Sequence, residues 1–328
     1  MKAVVIEEFG PPENARLLDL PQPGPKPGEL VIEVAFAPVN FVDDLVFRGT
    51  YQFLPELPFT PGKGPVGTVH AVGADVEGFG VGDRVIAMAE HGGYAQFAAV
   101  PATNTYRLPG PVSFESAAVM SLAYDTAWLA LFERGRLKPG ETVLVLGATG
   151  AVGDAAIQLA RARGARVLAA VSSESRATKV MASGADAIID LSRPGLRDSL
   201  REQVWQHTGA QGADVVIDML GGDIFDAALR AVAWRGRVVV VGFAAGRIPQ
   251  VKVNYLLLKN IEISGVQISD YRKRCPEMMQ LCFDEILALA AQGQIKPGEI
   301  QAYPLADFAR ALSDVVQRRA KGRMVLTP

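Results

Sequence analysis

Thr142-Val143-Leu144-Val145-Leu146-Gly147-Ala148-Thr149-Gly150-Ala151-Val152-Gly153 is the stretch that decides the fold, because a mainly apolar run leads directly into a glycine-rich turn. A helical pattern follows the turn to about residue 163. A strand that turns tightly into a helix presents unbonded backbone N–H groups and the positive end of the helix dipole. Glycines let a phosphate group approach that backbone closely. The stretch therefore predicts a phosphate-binding turn made by residues 147–153.

Strands and helices alternate after this turn. The apolar patterns predict strands at 166–171, 187–190, 214–218, 236–242 and 261–266, and helices at 174–183, 196–208 and 223–233. This alternation is typical of a doubly wound parallel sheet. A glycine-rich turn alone is weak evidence, because such turns also occur wherever strands meet helices. Two further features favour a dinucleotide site, the alternation of strands and helices and the second strand, which ends about twenty residues after the turn.

The first third of the chain has a different pattern. Short β-rich runs at 30–36, 67–72 and 83–88 are separated by proline and glycine, which indicates a sandwich or a partly open barrel. Helices are expected within 114–134, at about 272–292 and at about 306–320, with a closing strand at 323–326. We therefore expect an α/β protein with two domains, one of residues 1–118 and 267–328 and one of residues 119–266.

Composition narrows the class of protein. The chain has 328 residues, a formal net charge of −2, 49% hydrophobic residues and 21% charged residues, so it carries no basic surplus for nucleic acid. It has no apolar run suited to a signal peptide or a bilayer span, and we expect a cytoplasmic protein without a membrane partner. Cys275, Cys282 and the three histidines lack metal-ligand spacing, so no metal site is expected.

Ser172, Ser173 and Arg176 follow the second predicted strand, where the ribose of a dinucleotide is recognised. NAD-specific sites place a carboxylate there, which would repel a 2′-phosphate. Hydroxyls and a guanidinium can instead donate to that phosphate, and a charge-assisted hydrogen bond contributes about 1.5–3 kcal/mol. The residues predict NADPH as cofactor. The alternative is that Ser172 only caps a helix beginning at Glu174 and that Arg176 is a solvated surface charge.

Several short motifs together resemble the zinc-free quinone oxidoreductase branch of the medium-chain dehydrogenase/reductases. They are VNFVD at 39–43, GTY at 49–51, PGKG at 61–64, VGDRV at 81–85, GGYA at 92–95, GATGAVG at 147–153, VVGF at 240–243 and KGR at 321–323. The resemblance implies a GroES-like substrate domain, a Rossmann cofactor domain, a cleft between them, and a homodimer formed through the edge strand at 261–266.

The chain departs from the zinc-dependent members of the resembled superfamily. Those relatives carry Gly-His-Glu where this chain has Gly62-Lys63-Gly64, and a cysteine ligand near residues 40–43. Zinc-dependent alcohol oxidation is therefore not expected. Conjugate addition of hydride to a quinone, an enone or an enoyl thioester needs no metal Lewis acid, only stabilisation and protonation of an enolate.

The resemblance also suggests residues for this chemistry. Tyr51 lies eleven residues after Asn40, the interval at which similar enoyl-thioester reductases carry a proposed proton donor, and a phenol is protonated at neutral pH. Asn40 is expected to donate to the developing oxyanion and Lys63 to supply a cation. The alternatives are an aromatic plug for Tyr51 and a solvent-facing loop lysine for Lys63.

Further residues are assigned through the same resemblance. Thr126, Gly242, Phe243 and Val266 are expected to line the nicotinamide, although Thr126 could be an ordinary helix residue. A rival activity is enoyl-CoA or acryloyl-CoA reduction, for which Arg48, Lys63, Arg247 and Lys252 are scattered candidates to bind the phosphates. A rival from another class is a non-enzymatic NADPH-binding or RNA-binding protein. Three tryptophans, Trp128, Trp205 and Trp234, are expected on helical faces.

Overall fold

The computed structural model describes residues 1–173, 176–317, 319 and 322–328. These residues form two compact units. The first unit consists of Met1–Leu122, Tyr271–Ala291 and Pro297–Pro328, and the second of Ala123–Asp270 and Gln292–Lys296. The boundaries expected between the substrate domain and the cofactor domain, at 118/119 and 266/267, stay a prediction.

The strands are given first, in chain order. They are β1 (Lys2–Val5), β2 (Arg16–Asp19), β3 (Glu29–Pro38), β4 (Val66–Val72), β5 (Arg84–Ala87), β6 (Phe97–Pro101), β7 (Thr105–Arg107), β8 (Thr142–Leu146), β9 (Arg166–Val171), β10 (Ala187–Asp190), β11 (Ala213–Asp218), β12 (Val232–Val240), β13 (Glu262–Gly265), β14 (Ile300–Pro304) and β15 (Arg323–Thr327).

The α-helices follow the same order. They are α1 (Phe41–Phe47), α2 (Phe114–Met120), α3 (Tyr124–Trp128), α4 (Ala151–Ala162), α5 (Ala177–Ala182), α6 (Leu196–Thr208), α7 (Gly222–Ala228), α8 (Asn254–Lys259), α9 (Ile268–Arg274), α10 (Pro276–Ala291) and α11 (Phe308–Val316). A π-helical segment, Leu129–Arg134, continues α3. None of the helices among the described residues is long and apolar enough to cross a membrane.

The first unit is built on a mainly antiparallel sheet. Its strands lie in the order β14-β15-β3-β4-β5-β7, and β6 pairs with β3. The last strand, β15, pairs antiparallel with β3 through Val325 and Pro38, so the chain returns to this sheet at its carboxyl end. Alternate residues of β3, such as Leu30, Ile32 and Val34, point into a core that also contains residues of α1 and α11.

The second unit contains a six-stranded sheet in the order β10-β9-β8-β11-β12-β13, and all of its strand pairs are parallel. Every residue of β8 is buried, because a parallel sheet of this kind is covered on both faces. The strand order reverses between β8 and β11, the point at which open α/β sheets bind ligands at the carboxyl ends of the strands. The predicted doubly wound α/β fold is confirmed.

Several predicted boundaries are wrong. Helix α7 ends at Ala228, and residues 232–240 form β12, so the helix expected at 223–233 is too long. Trp234 consequently lies on a strand rather than on a helical face, next to an irregularity in the pairing of β11 with β12. Pairing with β11 is a tertiary interaction, which overrides the local helical pattern.

Two further helices differ from expectation in extent. The helix expected at 272–292 is divided into α9 and α10, because Pro276 lacks a backbone N–H and disfavours helical geometry in the residue before it. The helix expected at 306–320 is a short 3₁₀ turn followed by α11, which ends at Val316. The expected helix at 174–183 is described only as α5, since Glu174 lies outside the described residues.

Candidate functional site

The glycine-rich turn joins β8 to α4. Gly150 is the residue before the helix, and its carbonyl accepts the first intrahelical bond, from the Asp154 N–H at 2.8 Å. The N–H groups of Ala151, Val152 and Gly153 precede that bond, so they point out of the N-terminal end of a twelve-residue helix. Such an arrangement favours an anion.

Close packing within the turn requires glycine at position 153. A Cβ atom added there would lie 2.3 Å from the Gly147 carbonyl oxygen and 2.7 Å from the Ala148 Cα. Both neighbours are backbone atoms, which cannot move aside without shifting the turn. Gly153 therefore lets the first turn of α4 lie directly against the strand end.

Asp218 supports the neighbouring loop and was not identified from the sequence. It ends β11, and its carboxylate accepts from the N–H groups of Leu220 at 2.9 Å and Gly221 at 3.0 Å. Burial raises the pKa of Asp218 above its usual range, while these hydrogen bonds act in the opposite direction. A Cβ on Gly147 would meet the Leu220 side chain at 3.2 Å, so the two loops are adjacent at the point where the strand order reverses.

The residues predicted to read a 2′-phosphate follow β9, the neighbour of β8. Ser172 is exposed, whereas Ser173 and Arg176 are half-buried. The Arg176 N–H donates to the Ser173 carbonyl at 3.1 Å, and Arg176 directly precedes α5. The alternative in which Ser172 caps a helix beginning at Glu174 falls outside the described residues.

The residues predicted to line the nicotinamide lie mainly at the same edge of the sheet. Gly242 and Phe243 follow β12, and the Gly242 N–H donates to the Asp218 carbonyl at 3.3 Å. Val266 follows β13 and donates to the Val240 carbonyl at 3.1 Å. Thr126 lies on α3, and its N–H donates to the Asp125 carboxylate at 2.7 Å.

A separate group of charged side chains lies in the first unit. Lys63 is only 3% exposed, and its ammonium contacts the Glu90 carboxylate at 2.5 Å. The same ammonium lies 4.9 Å from the centroid of the Tyr51 ring. The alternative of a solvent-facing lysine is therefore wrong.

The backbone around Lys63 explains why its side chain is turned inward. Gly64 has a φ of +65°, which side-chain-bearing residues rarely adopt. A Cβ at Gly64 would lie 2.1 Å from the Ser121 hydroxyl oxygen, which itself donates to the Gly64 carbonyl at 2.7 Å. The glycine therefore lets this segment lie directly against Ser121, with Lys63 facing Glu90.

Arg272 completes this group and was not identified from the sequence. It is also 3% exposed, and its Nη1 donates to the second Glu90 oxygen at 3.0 Å. The two residues are 182 positions apart in the chain, so no local pattern could have joined them. Glu90 thus contacts two buried cations, one with each oxygen.

Asn40 occupies the start of α1 and is engaged in a buried network. Its Nδ2 donates to the Pro38 carbonyl and to the Asp43 carboxylate, each at 3.2 Å, and its Oδ1 accepts from Arg323. An oxyanion could accept from Asn40 only by replacing one of the two existing acceptors. The role predicted for Asn40 therefore competes with its role in fixing the start of α1.

The carboxyl group at the centre of this network is Asp43. It accepts from the Asn40 N–H at 2.7 Å and from the Tyr94 hydroxyl at 3.0 Å. Burial raises the pKa of Asp43, against these hydrogen bonds and the charge of Lys63. Burial also raises the pKa of Tyr94 well above its ordinary value, and the Asp43 charge adds to this effect. Tyr94 is fully buried, as a core residue would be.

Tyr51 is half-buried beside these groups. Its ring meets the Phe53 ring edge to face, with 6.3 Å between centroids, and it packs on the core of the first unit. Both a proton donor and an aromatic plug fit this position. Within the described part of the chain, no group of three or more His, Cys, Asp or Glu side chains is placed to hold a metal ion.

A parallel sheet with a glycine-rich turn at its switch point, joined in one chain to a β-rich unit, defines the class of two-domain dehydrogenases and reductases. Comparisons with known proteins agree. Residues 26–110 match the family model of the alcohol dehydrogenase GroES-like domain, and residues 151–284 match the model named zinc-binding dehydrogenase.

Individual relatives define the family more closely. The chain is 39% identical to quinone oxidoreductase-like protein 2 of Rattus norvegicus over 92% of this chain and 85% of that protein. It is 35% identical to quinone oxidoreductase of Rattus norvegicus over 99% and 97%. The Escherichia coli quinone oxidoreductase complexed with NADPH has a TM-score of 0.90 and 28% identity, covering 100% of both chains. The chain belongs to the quinone oxidoreductase family of medium-chain dehydrogenase/reductases.

Proposed function

We propose that this protein is an NADPH-dependent reductase that transfers hydride to a quinone or to an α,β-unsaturated carbonyl compound without zinc. The observation that carries the proposal is the Lys63 and Glu90 ion pair beside Tyr51. Lys63 occupies the motif in which zinc-dependent relatives, according to the sequence resemblance, hold a metal ligand. An ammonium ion cannot ligate a metal, but it can stabilise negative charge.

The residues at the carboxyl edge of the second sheet fit NADPH. The N–H groups of Ala151, Val152 and Gly153 would hold the pyrophosphate, and Ser172, Ser173 and Arg176 would hold the 2′-phosphate. Thr126, Gly242, Phe243 and Val266 would flank the nicotinamide. When bound there, NADPH supplies the hydride.

The side chains of the protein would then have two roles, to supply a proton and to stabilise negative charge. Hydride forms a new C–H bond at the β-carbon of the acceptor, and the electrons of the double bond move to the carbonyl oxygen as an enolate. Tyr51 would give its proton to the α-carbon and recover one from solvent. Lys63, 4.9 Å from the ring centroid, would stabilise the negative charge left on Tyr51.

A direct assay tests this function. NADPH oxidation is followed by absorbance with a panel of quinones, enones and enoyl-CoA thioesters, while NADPH affinity is measured separately by fluorescence titration. We expect turnover with quinones or enones. Tight NADPH binding without turnover of any acceptor would contradict the proposal and would favour a non-enzymatic role, for which a salt-dependent RNA shift assay is the next test.

The structure offers less support for enoyl-CoA reduction. Arg48 is paired with Asp44, Lys63 with Glu90, and Arg247 with Asp223 and Asp226, so three of the four candidate phosphate ligands already contact a carboxylate. By family resemblance we also propose a homodimer through the edge strand β13 and a division of function at residues 118/119 and 266/267. The cytoplasmic location expected from the sequence stays a prediction.

A further inference from the structure

Glu90 joins two buried cations that come from distant parts of the first unit. Its Oε2 contacts Lys63 at 2.5 Å and its Oε1 contacts Arg272 at 3.0 Å. The Glu90 side chain is 26% exposed, whereas both cations are 3% exposed. Of these three side chains, Glu90 is therefore the one exposed to solvent, and both cations share its carboxylate.

The burial of these charges makes the carboxylate indispensable to their arrangement. Removing one partner of a buried ion pair is strongly destabilising, because an uncompensated charge remains in a poorly hydrated place. Here the loss of one carboxylate would leave two cations facing each other. Like charges repel each other, and the flexible side chain of a lysine can move away from its neighbour.

Other titratable groups face Lys63 and do not replace Glu90. Burial lowers the pKa of His91, the charge of Lys63 lowers it further, and the charge of Glu90 acts in the opposite direction. Asp43 lies near enough to interact electrostatically with Lys63, but its carboxylate is held by Asn40 and Tyr94. Tyr51 presents its ring face to the ammonium. Glu90 alone among these groups forms an ion pair with Lys63.

We propose that Glu90 is a positioning residue for the reduction: it holds the Lys63 ammonium against the Tyr51 ring, while Arg272 fixes Glu90 through its other oxygen. This inference rests on the proposed function for its catalytic consequence. Its structural content, the place of the Lys63 side chain, is independent of any acceptor. Lys63 then acts through Tyr51 rather than by touching the substrate.

A matched control is available in the second unit. Glu141 pairs with Arg237 at 2.7 Å, and its side chain is 23% exposed, close to the value for Glu90. Arg237 is nearly buried, as Lys63 is. Glu141→Gln therefore breaks a comparable ion pair at a position that has no proposed part in the reaction.

Two measurements on the full-length protein test the inference. NMR of isotope-labelled lysine, with the Lys63 signal assigned by Lys63→Arg, reports whether the Lys63 side chain lies against the Tyr51 ring, because an aromatic ring changes the chemical shift of a group over its face. We expect Tyr51→Leu to move the Lys63 signal in the otherwise wild-type protein and in Glu141→Gln, but not in Glu90→Gln, in which Lys63 no longer lies over the ring. An equal effect of Tyr51→Leu with and without Glu90 overturns the inference, even if the wild type reduces no acceptor and the proposed function itself fails.

Kinetics test the catalytic consequence. With the best acceptor, Glu90→Gln is expected to lower kcat about tenfold or more, with NADPH affinity within about twofold. On a Lys63→Gln background the same substitution is expected to have no further effect on kcat, because its target is gone. Equal effects of Glu90→Gln with and without Lys63 overturn the inference. If Glu90→Gln alone does not fold, Glu90→Asp replaces it in the same comparison, because its shorter carboxylate cannot reach both cations and the same dependence on Lys63 is expected of it.

Discussion

Gly153→Ala tests whether the turn between β8 and α4 is as tightly packed as it is in the structure. The added methyl would lie 2.3 Å from the Gly147 carbonyl oxygen and 2.7 Å from the Ala148 Cα, well inside van der Waals contact. Neither atom belongs to a flexible side chain, so α4 or the turn must shift. Overpacking of this kind costs about 1–3 kcal/mol, which we expect as a loss in the free energy of unfolding measured with urea.

The same shift would displace the N–H groups of Ala151 and Val152 from their ligand. We therefore expect NADPH affinity, measured by fluorescence titration, to fall about tenfold or more. Gly110→Ala is the control, since a Cβ there would meet no atom within 4 Å, and it should change stability by less than about 0.5 kcal/mol. Unchanged stability and affinity in Gly153→Ala would refute the packing argument.

Three further predictions concern the cofactor, the proton and acid stability. Arg176→Ala should reduce the preference for NADPH over NADH about 10- to 100-fold in kcat/KM, because a charge-assisted bond to the 2′-phosphate is lost; an unchanged preference removes Arg176 from the site. Tyr51→Phe should lower kcat about 100-fold or more with NADPH affinity retained, and equal turnover would leave Tyr51 as an aromatic plug. Burial raises the pKa of Glu141, but hydrogen bonds from Arg237 and the Lys138 N–H outweigh burial and hold this pKa below its ordinary value. The Glu141 carboxylate therefore stabilises the folded protein above about pH 4.3, and this stabilisation is lost as the pH falls. Urea unfolding between about pH 5 and 3 should show a steeper loss of stability in the wild type than in Glu141→Gln, and equal slopes would contradict this sign.

The second unit could be read from the sequence because its signals are local. A buried strand, a glycine turn and a helix follow one another within residues 142–163. Strands and helices continue to alternate after them. Asp218 could have been found by the same reasoning, since an acidic residue between a buried strand and Gly221-Gly222 can accept from the N–H groups of a turn. Trp234 was misplaced because the pairing of β11 with β12 outweighs a local pattern.

The group of charged side chains in the first unit could be predicted from the sequence only in part. The motif at 61–64 pointed to Lys63, and the interval from Asn40 pointed to Tyr51. Glu90 and Arg272 carried no such signal, since their contact spans 182 positions and depends on where α9 lies. The close approach of Gly64 to Ser121, beside the buried Lys63, is a tertiary contact between residues 57 positions apart, which a linear sequence does not display.

Turnover by chelator-treated protein tests the central claim most directly. Protein freed of bound metal and shown to be metal-free by elemental analysis is assayed for NADPH oxidation with quinones and enones, with and without added zinc. We expect the same kcat in both conditions and a marked preference for NADPH over NADH. Turnover that appears only with zinc, or no turnover of any acceptor despite tight NADPH binding, would contradict it.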